Sequence, residues 1–192
     1  VHVVSNETAN GVCLPHPIVR HPGLIADVTS DLGFRPIPVS EYAMLYAGIQ
    51  KSLGVAGMSV LMLHREILNK LREDVPLAFS YRHVAAMKSM PATPNVFAWS
   101  TMGLMLEWMQ EQGGLYAVSQ RLKCRADALY TFLDASTLFN VPAAHGLRSL
   151  QNIVFTTGHQ NKDRACIKAA EQYGLYGLAN HAKVGGIRIS LY

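Results

Sequence analysis

The sequence predicts an α/β protein in which a mostly parallel sheet is covered by helices and is followed by a smaller C-terminal α+β domain. Two observations predict this fold class. Four short runs in the first third of the chain are almost continuously apolar and are bounded by Gly, Pro, Asn and Asp, which is typical of strands buried on both faces. Segments with helical spacing of apolar residues follow, and beyond residue 113 helices and strands alternate.

The strands of the first part are predicted at VHVV, LIADV, AMLYAG and MSVLMLH, which occupy residues 1–4, 24–28, 43–48 and 58–64. A short helix is predicted at 65–73, where apolar side chains share one face. A longer helix is predicted at 95–114, because Pro94 precedes it and the pair Gly113–Gly114 is a helix-stop signal.

The second part begins with a helix predicted at 115–136, whose apolar residues again have helical spacing. A strand at 151–157, a helix at 163–174 and a final strand at 185–192 complete the order. This change of pattern places a domain boundary at the glycine pair. Residues 1–113 are therefore predicted to belong to a large domain, and residues 114–192 to a small C-terminal domain that is incomplete at its end.

The composition limits the classes of function. Of the 192 residues, 49% are hydrophobic and 16% are charged, so we expect a sizeable core and no extended disorder. The net charge of +4 is spread along the chain without a basic stripe, which argues against nucleic-acid binding. The apolar runs are shorter than the roughly 20 residues of a membrane span. We therefore expect neither a nucleic-acid nor a membrane partner.

The cysteines and histidines indicate neither disulfides nor a metal centre. The three cysteines are far apart and include no C-x-x-C pair, which favours a reducing compartment and a cytoplasmic location. The eight histidines show no H-x-x-x-H or H-E-x-x-H spacing, so no metal site is predicted.

Lys51 lies in the stretch AGIQKSLG, among small residues and between two predicted buried strands. A surface lysine in a turn is the ordinary interpretation of such a position. The glycine-containing turn SLGVAG would nevertheless let other groups approach the backbone closely, and the stretch lacks the G-x-x-x-x-G-K-[ST] pattern of a phosphate-binding loop. A lysine partly removed from water is a better nucleophile, as Schiff-base chemistry with an aldehyde cofactor requires.

Asp27 lies in LIADVTSD, at the end of a predicted buried strand. A carboxylate at such a position is costly unless it is paired. Its ordinary interpretation is a cap or turn residue at the end of the strand. Its functional interpretation is a partner for the pyridine nitrogen of pyridoxal phosphate, which an aspartate keeps protonated.

Several motifs together resemble the phosphoserine aminotransferases, which are class-V, fold-type-I enzymes that use pyridoxal 5′-phosphate. The matching stretches run nearly end to end: NETANG (6–11), ADVTSDLGFRPIPVSEY (26–42), YAGIQKSLGVAG (46–57), FAWSTMGLMLEWMQEQGG (97–114) and VGGIRISLY (184–192). The resemblance implies the back half of a fold-type-I large domain plus the small domain. It also implies amino transfer between glutamate and 3-phosphohydroxypyruvate in serine biosynthesis, and leaves open the phosphohydroxythreonine step of pyridoxine biosynthesis.

The resemblance assigns cofactor-binding roles to five side chains. Lys51 looks like the lysine that attaches the cofactor covalently and moves the substrate proton, and Asp27 matches the partner of the pyridine nitrogen. Thr8 matches a residue near the phenolic oxygen, and Gln50 matches a phosphate ligand. Thr93 matches a phosphate contact donated across the interface of a homodimer with shared active sites.

Two further side chains match substrate-binding residues. Arg188, in VGGIR, matches an arginine for the substrate carboxylate, a role that suits the planar, bidentate guanidinium. His181 matches a residue near the substrate phosphate.

Two positions depart from the family pattern. Ala92 stands where the family usually has Asn, and Ala182 stands where it usually has Arg directly after the histidine. Lys183 is an imperfect substitute, because neighbouring extended residues point in opposite directions. An alternative interpretation is therefore a class-V aminotransferase for an unphosphorylated substrate, such as alanine or serine with glyoxylate or pyruvate.

Both ends of the chain lie in strand-like runs, so we expect them to be cut from something longer. The enzymes it resembles carry, ahead of this segment, an aromatic residue that stacks on the cofactor, a phosphate loop and another substrate arginine. The segment alone is therefore expected to be inactive. A third interpretation, from another class of function, is a non-catalytic fragment or scaffold that keeps the fold.

Overall fold

A four-stranded sheet organises the first part of the chain in the computed structural model, which describes all 192 residues. In spatial order its strands are β1 (His2–Val4), β4 (Ile25–Asp27), β5 (Met44–Gly48) and β6 (Ser59–Leu63). The pairs β1–β4 and β4–β5 are parallel, whereas β5–β6 is antiparallel. The prediction of a mostly parallel sheet and the positions of its strands are confirmed.

Two smaller strand pairs complete the β structure. The strands β2 (Asn6–Glu7) and β3 (Val12–Cys13) form a short antiparallel hairpin directly after β1. The strands β7 (Asn152–Phe155) and β8 (Ile187–Ser190) pair antiparallel in the C-terminal part, where two strands were predicted.

The helices are α1 (Arg65–Lys70), α2 (Tyr81–Ala86), α3 (Val96–Glu111), α4 (Gly114–Ala135) and α5 (Gln160–Glu171). The helix α2 was not predicted from the sequence. Asn95 caps α3 by accepting the Ala98 N–H at 3.1 Å. Gly113, at φ 92°, separates α3 from α4 in the left-handed conformation that glycine adopts readily. None of the five helices combines the length and the apolar character needed to cross a bilayer.

Buried apolar residues form three clusters. One lies against the four-stranded sheet and includes Leu24 and Leu45. A second joins the turn after β5 to α3, with Ile49 at its centre and the first turns of α4 packed against it. A third fills the C-terminal part around Ile153 and the second half of α4. Because α4 contributes to both of the last two clusters, a boundary at residues 113–114 stays a prediction.

A buried polar network connects the two parts of the chain. The Asn6 amide donates to Ser30 Oγ at 2.9 Å and to Asn152 Oδ1 at 3.0 Å, and Ser149 Oγ donates to Asn6 Oδ1 at 2.6 Å. All four residues are buried. Since buried polar groups are costly unless they are paired, these bonds fix β7 against the start of β2.

Candidate active site

The ends of two parallel strands place the predicted cofactor residues at one edge of the sheet. Asp27 is the last residue of β4 and lies opposite Tyr46 of β5. Gln50 and Lys51 follow β5 in the turn that leads to β6. The carboxyl ends of neighbouring parallel strands meet at the same edge, which is where α/β proteins usually bind ligands.

The carboxylate of Asp27 lies in a polar setting. Its Oδ1 accepts the Thr29 N–H at 2.8 Å. Partial burial and the negative charge of Asp27 raise the pKa of Tyr46, and the Tyr46 hydroxyl lies 2.9 Å from His2 Nε2. Thr29 Oγ1 in turn accepts the Gly48 N–H at 3.1 Å.

An open depression of about 550 Å³ lies beside these groups, lined by Thr29, Tyr46, Gly48, Gln50, Ala56, Gly57, Met58 and Ser59. It offers hydroxyl and amide groups together with glycines that let a ligand approach the backbone. Hydroxyl and amide donors suit a phosphate ester, and a nearby carboxylate suits a protonated ring nitrogen. The residues present therefore fit pyridoxal phosphate.

Lys51 points into a different cavity. Its Nζ lies 4.9 Å from the centroid of the Tyr192 ring. The cavity has a volume of about 200 Å³ and is lined by residues from the turns after β4 and β5, from α3, α4 and the end of the chain, among them Phe34, Trp108 and Arg125. Asp27 does not line it. That Lys51 and Asp27 contact the same ligand therefore stays a prediction. It requires the Lys51 side chain to rotate out of this cavity.

The structure brings Thr8 close to the loop that precedes Arg188. Thr8 follows β2, and Asn180 Nδ2 donates both to the neighbouring Ala9 carbonyl and to the Gly185 carbonyl, each at 2.8 Å. The other amide atom, Asn180 Oδ1, is buried without a hydrogen-bond partner. Arg188 itself lies in β8 opposite Val154 and is half-buried.

His181 and Thr93 lie on the surface of this chain. His181 occupies a turn, where its carbonyl accepts the N–H groups of Val184 and Gly185 at 2.9 Å. Thr93 lies in the segment between α2 and α3 and is exposed, as is Ala92. Neither side chain joins the groups around Asp27, and their roles toward substrate and partner cofactor remain predictions.

Sequence reasoning missed Tyr46 and Tyr192. Tyr46 is the partner of Asp27 in the strand register, and only the register identifies it. For Tyr192 a signal was available, since Arg188, Ser190 and Tyr192 alternate along RISLY and so share one face of an extended segment.

A buried charged cluster behind the site was also missed. Asp31 is fully buried, and its carboxylate accepts hydrogen bonds from His16 Nε2 at 2.8 Å and from Arg35 Nε and Nη2 at 2.7 Å each. Burial by itself raises the pKa of this carboxyl, but the hydrogen bonds and charges of His16 and Arg35 outweigh it and lower the pKa to about 2. The spacing of Asp31 and Arg35, four residues apart, was the available signal.

The fold and the strand-end arrangement define a class of protein, and the comparison with known families agrees. The chain belongs to the class-V aminotransferase family, whose model matches residues 1–191. Its architecture is that of the fold-type-I pyridoxal phosphate-dependent aminotransferases.

Within that family the chain is similar to phosphoserine aminotransferases. Those of Pseudomonas entomophila (strain L48) and Azotobacter vinelandii are each 37% identical over 193 residues, which cover all of this chain and 54% of each relative. The chain therefore spans about half the length of the curated relatives it matches.

Solved structures give the same picture. Phosphoserine aminotransferase from Bacillus circulans subsp. alkalophilus superposes with a TM-score of 0.94 at 31% identity, over all of this chain and 54% of that one. The enzyme of Trichomonas vaginalis, solved with pyridoxal phosphate bound, gives a TM-score of 0.92 at 28% identity, over all of this chain and 55% of that one. An alanine–glyoxylate aminotransferase from Nostoc sp. has a TM-score of 0.81 at 17% identity over 99% of this chain and 55% of that one, which shows a shared fold alone.

Proposed function

We propose that the chain is part of a phosphoserine aminotransferase that uses pyridoxal phosphate to move an amino group between glutamate and 3-phosphohydroxypyruvate. One observation carries the proposal: Asp27 ends β4, and Gln50 and Lys51 lie in the turn that follows its parallel neighbour β5. The relatives at 37% identity that share this whole segment are phosphoserine aminotransferases. When bound, the cofactor supplies an electron sink for the carbanion at the substrate Cα.

The other roles in binding and catalysis belong to side chains of this segment. Asp27 holds the proton on the ring nitrogen, and its bond with the Thr29 N–H orients the carboxylate. Gln50 and Thr8 donate or accept hydrogen bonds at the phosphate and the phenolic oxygen. Arg188 binds the substrate carboxylate with its two parallel N–H groups. Lys51 attaches the cofactor and, once its amine is free, carries the proton to and from the substrate Cα.

The test uses the full-length protein. The wild type should bind pyridoxal phosphate saturably with a visible absorption band, and Lys51→Ala should remove both the band and turnover. Lys70→Ala, at an exposed position of α1, is the matched control and should keep both. A band that survives in Lys51→Ala would remove Lys51 from its role. Absence of saturable, Lys51-dependent binding in the wild type would instead favour the non-catalytic scaffold.

A class-V aminotransferase for an unphosphorylated substrate is the second candidate, and Ala182 favours it. His181, Ala182 and Lys183 are all exposed in one turn, which lacks the arginine of the family pattern. Turnover with 3-phosphohydroxypyruvate should be compared with turnover of pyruvate and glyoxylate. If phosphate recognition is incomplete, Ala182→Arg should raise kcat/KM for the phosphorylated oxoacid and leave that for pyruvate unchanged. A wild type that prefers pyruvate would overturn the first proposal.

We also propose a homodimer in the cytoplasm. Large apolar side chains of α3 and its start are exposed on this chain, namely Val96, Phe97, Trp99, Leu104, Leu106 and Trp108, and an apolar surface of this kind favours a protein interface. The adjacent Thr93 would then reach the cofactor of the partner. The three cysteines, far apart in the sequence and without a C-x-x-C pair, support the cytoplasmic location. Sedimentation of the full-length protein should give the mass of two chains, and a monomer would contradict the shared site.

A further inference from the structure

We infer that Tyr192 is a positioning residue for Lys51: its ring receives the ammonium group whenever the amine is not attached to the cofactor. This inference rests on the proposed function and adds a residue to it. In the proposed reaction the Lys51 amine is alternately attached to the cofactor and free. The Tyr192 ring defines the position of the free amine.

The contact between the two side chains is a cation–π interaction. The Lys51 Nζ lies 4.9 Å from the centroid of the Tyr192 ring, inside the limit of about 6 Å at which a cation is attracted to an aromatic face. Lys51 takes part in none of the ion pairs of the chain. The other charged groups of the cavity, Arg121 and Arg125, are exposed and carry the same sign. The ring is therefore the group that attracts the ammonium.

The Tyr192 ring is fixed before the lysine reaches it. Its hydroxyl accepts a hydrogen bond from Asn152 Nδ2 at 2.9 Å, and its ring packs against Phe34 with centroids 5.4 Å apart. Asn152 is buried and is itself held by the Asn6 amide at 3.0 Å. The same network that joins the two parts of the chain thus presents the ring to Lys51. A preorganised acceptor does not lose further conformational freedom when the amine arrives.

Two places are consequently available to one amine. One is the cavity shared with Tyr192, and the other is the polar depression lined by Gln50 and by Tyr46, the strand partner of Asp27. Exchange between them takes place by rotation of the flexible four-carbon stem of the lysine. The ring keeps the free amine away from the depression until a carbonyl group competes for it.

The test measures the amine in cofactor-free, full-length protein. Acetic anhydride labels amines only when they are unprotonated and accessible, and mass spectrometry of the digested protein gives the rate at Lys51 relative to exposed Lys70. Tyr192→Leu should raise the Lys51 rate roughly two- to fivefold, because the ring no longer holds the ammonium. Tyr192→Phe retains the aromatic face and its packing against Phe34 but loses the hydrogen bonds with Asn152, so the Lys51 rate should lie closer to the wild-type rate than to that of Tyr192→Leu. Tyr176→Leu, at a highly exposed tyrosine, is the control and should change nothing.

A second variant separates the electrostatic role from the space that the ring fills. Replacement of Tyr192 by pentafluorophenylalanine keeps the size of the ring but reverses its quadrupole, so the Lys51 rate should match that of Tyr192→Leu. Wild-type rates in Tyr192→Leu and in the pentafluorophenylalanine variant would overturn the inference, as would a Tyr192→Phe rate equal to that of Tyr192→Leu. Because no cofactor is present, these rates locate the amine even if the wild type fails to bind pyridoxal phosphate, which would refute the proposed function separately.

Discussion

Asp31→Asn is the substitution that the structure predicts most sharply to destabilise the fold. The Asp31 carboxylate has no exposed surface and accepts hydrogen bonds from His16, Arg35 and Gln151. An asparagine keeps the shape but replaces one acceptor oxygen with a donor. That donor must then face an N–H group of either Arg35 or His16, and the Arg35 side chain, only 23% exposed, loses its counter-charge.

The magnitude follows from the loss of one partner of a buried pair. Removing one member of such a pair typically costs about 3–5 kcal/mol. The partial exposure of Arg35 lets water replace some of the lost interaction, so we expect the lower end, about 3 kcal/mol. For a domain of this size about 1 kcal/mol corresponds to roughly 2–4 °C, which predicts a fall in Tm of roughly 6–12 °C.

Urea unfolding followed by circular dichroism measures this free energy directly. Asp74→Asn is the matched control, since Asp74 pairs with Arg72 at the surface and both side chains are largely exposed; its midpoint should equal that of the wild type. An Asp31→Asn midpoint equal to that of the wild type would refute the view that this cluster stabilises the fold.

The same carboxylate predicts how stability depends on pH. Its pKa is about 2 in the folded protein, against an ordinary value of 3.8. Because the folded state favours the ionised form, the contribution is fully present above pH about 4 and is lost as the pH falls toward about 2. The difference corresponds to about 2 kcal/mol. As the pH is lowered from about 5 to about 2, the urea midpoint should fall more steeply for the wild type than for Asp31→Asn. Parallel curves would contradict the assignment of this pH dependence to Asp31.

Three further substitutions test other parts of the fold by the same unfolding assay. Ile153→Ala removes a fully buried side chain from the C-terminal cluster and should cost about 2–5 kcal/mol; a cost below 1 kcal/mol, on the order of a surface change, would show that this core is loosely packed. Tyr130→Phe deletes a buried bond to the Ser149 carbonyl, 2.7 Å long, and should cost about 1 kcal/mol; a gain in stability would contradict it. Gly33→Ala forces a Cβ at φ 88° to within 2.7 Å of Ser52 Oγ and should cost at least about 1–2 kcal/mol; an unchanged midpoint would show that the turn relaxes.

The sequence was sufficient for the regular elements because their signals are local. The apolar runs at 43–48 and 58–64 and the helix between Pro94 and Gly113 lie within two or three residues of the observed elements. The helix α2, at Tyr81–Ala86, was missed because Tyr81 and Val84 are its only large apolar residues, whereas Ile67, Leu68 and Leu71 indicated the equally short α1.

Long-range side-chain contacts could not be predicted in the same way. The bond between Asn6 and Asn152 joins residues 146 positions apart, and nothing in either neighbourhood indicates the other. The direction of the Lys51 side chain depends on Tyr192, which follows β8, a strand of a different sheet. The sequence was sufficient to place Lys51 in a turn. Which of the two cavities its side chain enters depends on its rotamer and on the packing around it.

The antiparallel pairing of β6 with β5 restricts how the Lys51 turn can behave. Gly48 and Ser59 close a ladder across the base of the turn, and the Ile49 N–H donates to the Met58 carbonyl at 3.2 Å. The main chain around Lys51 is therefore held at both ends by strand pairing, as in the turn of a hairpin. A helical crossover after β5 would lack this restraint and could shift as a rigid body. Any movement of Lys51 Nζ between the two cavities must therefore come from rotation about the bonds of the lysine side chain.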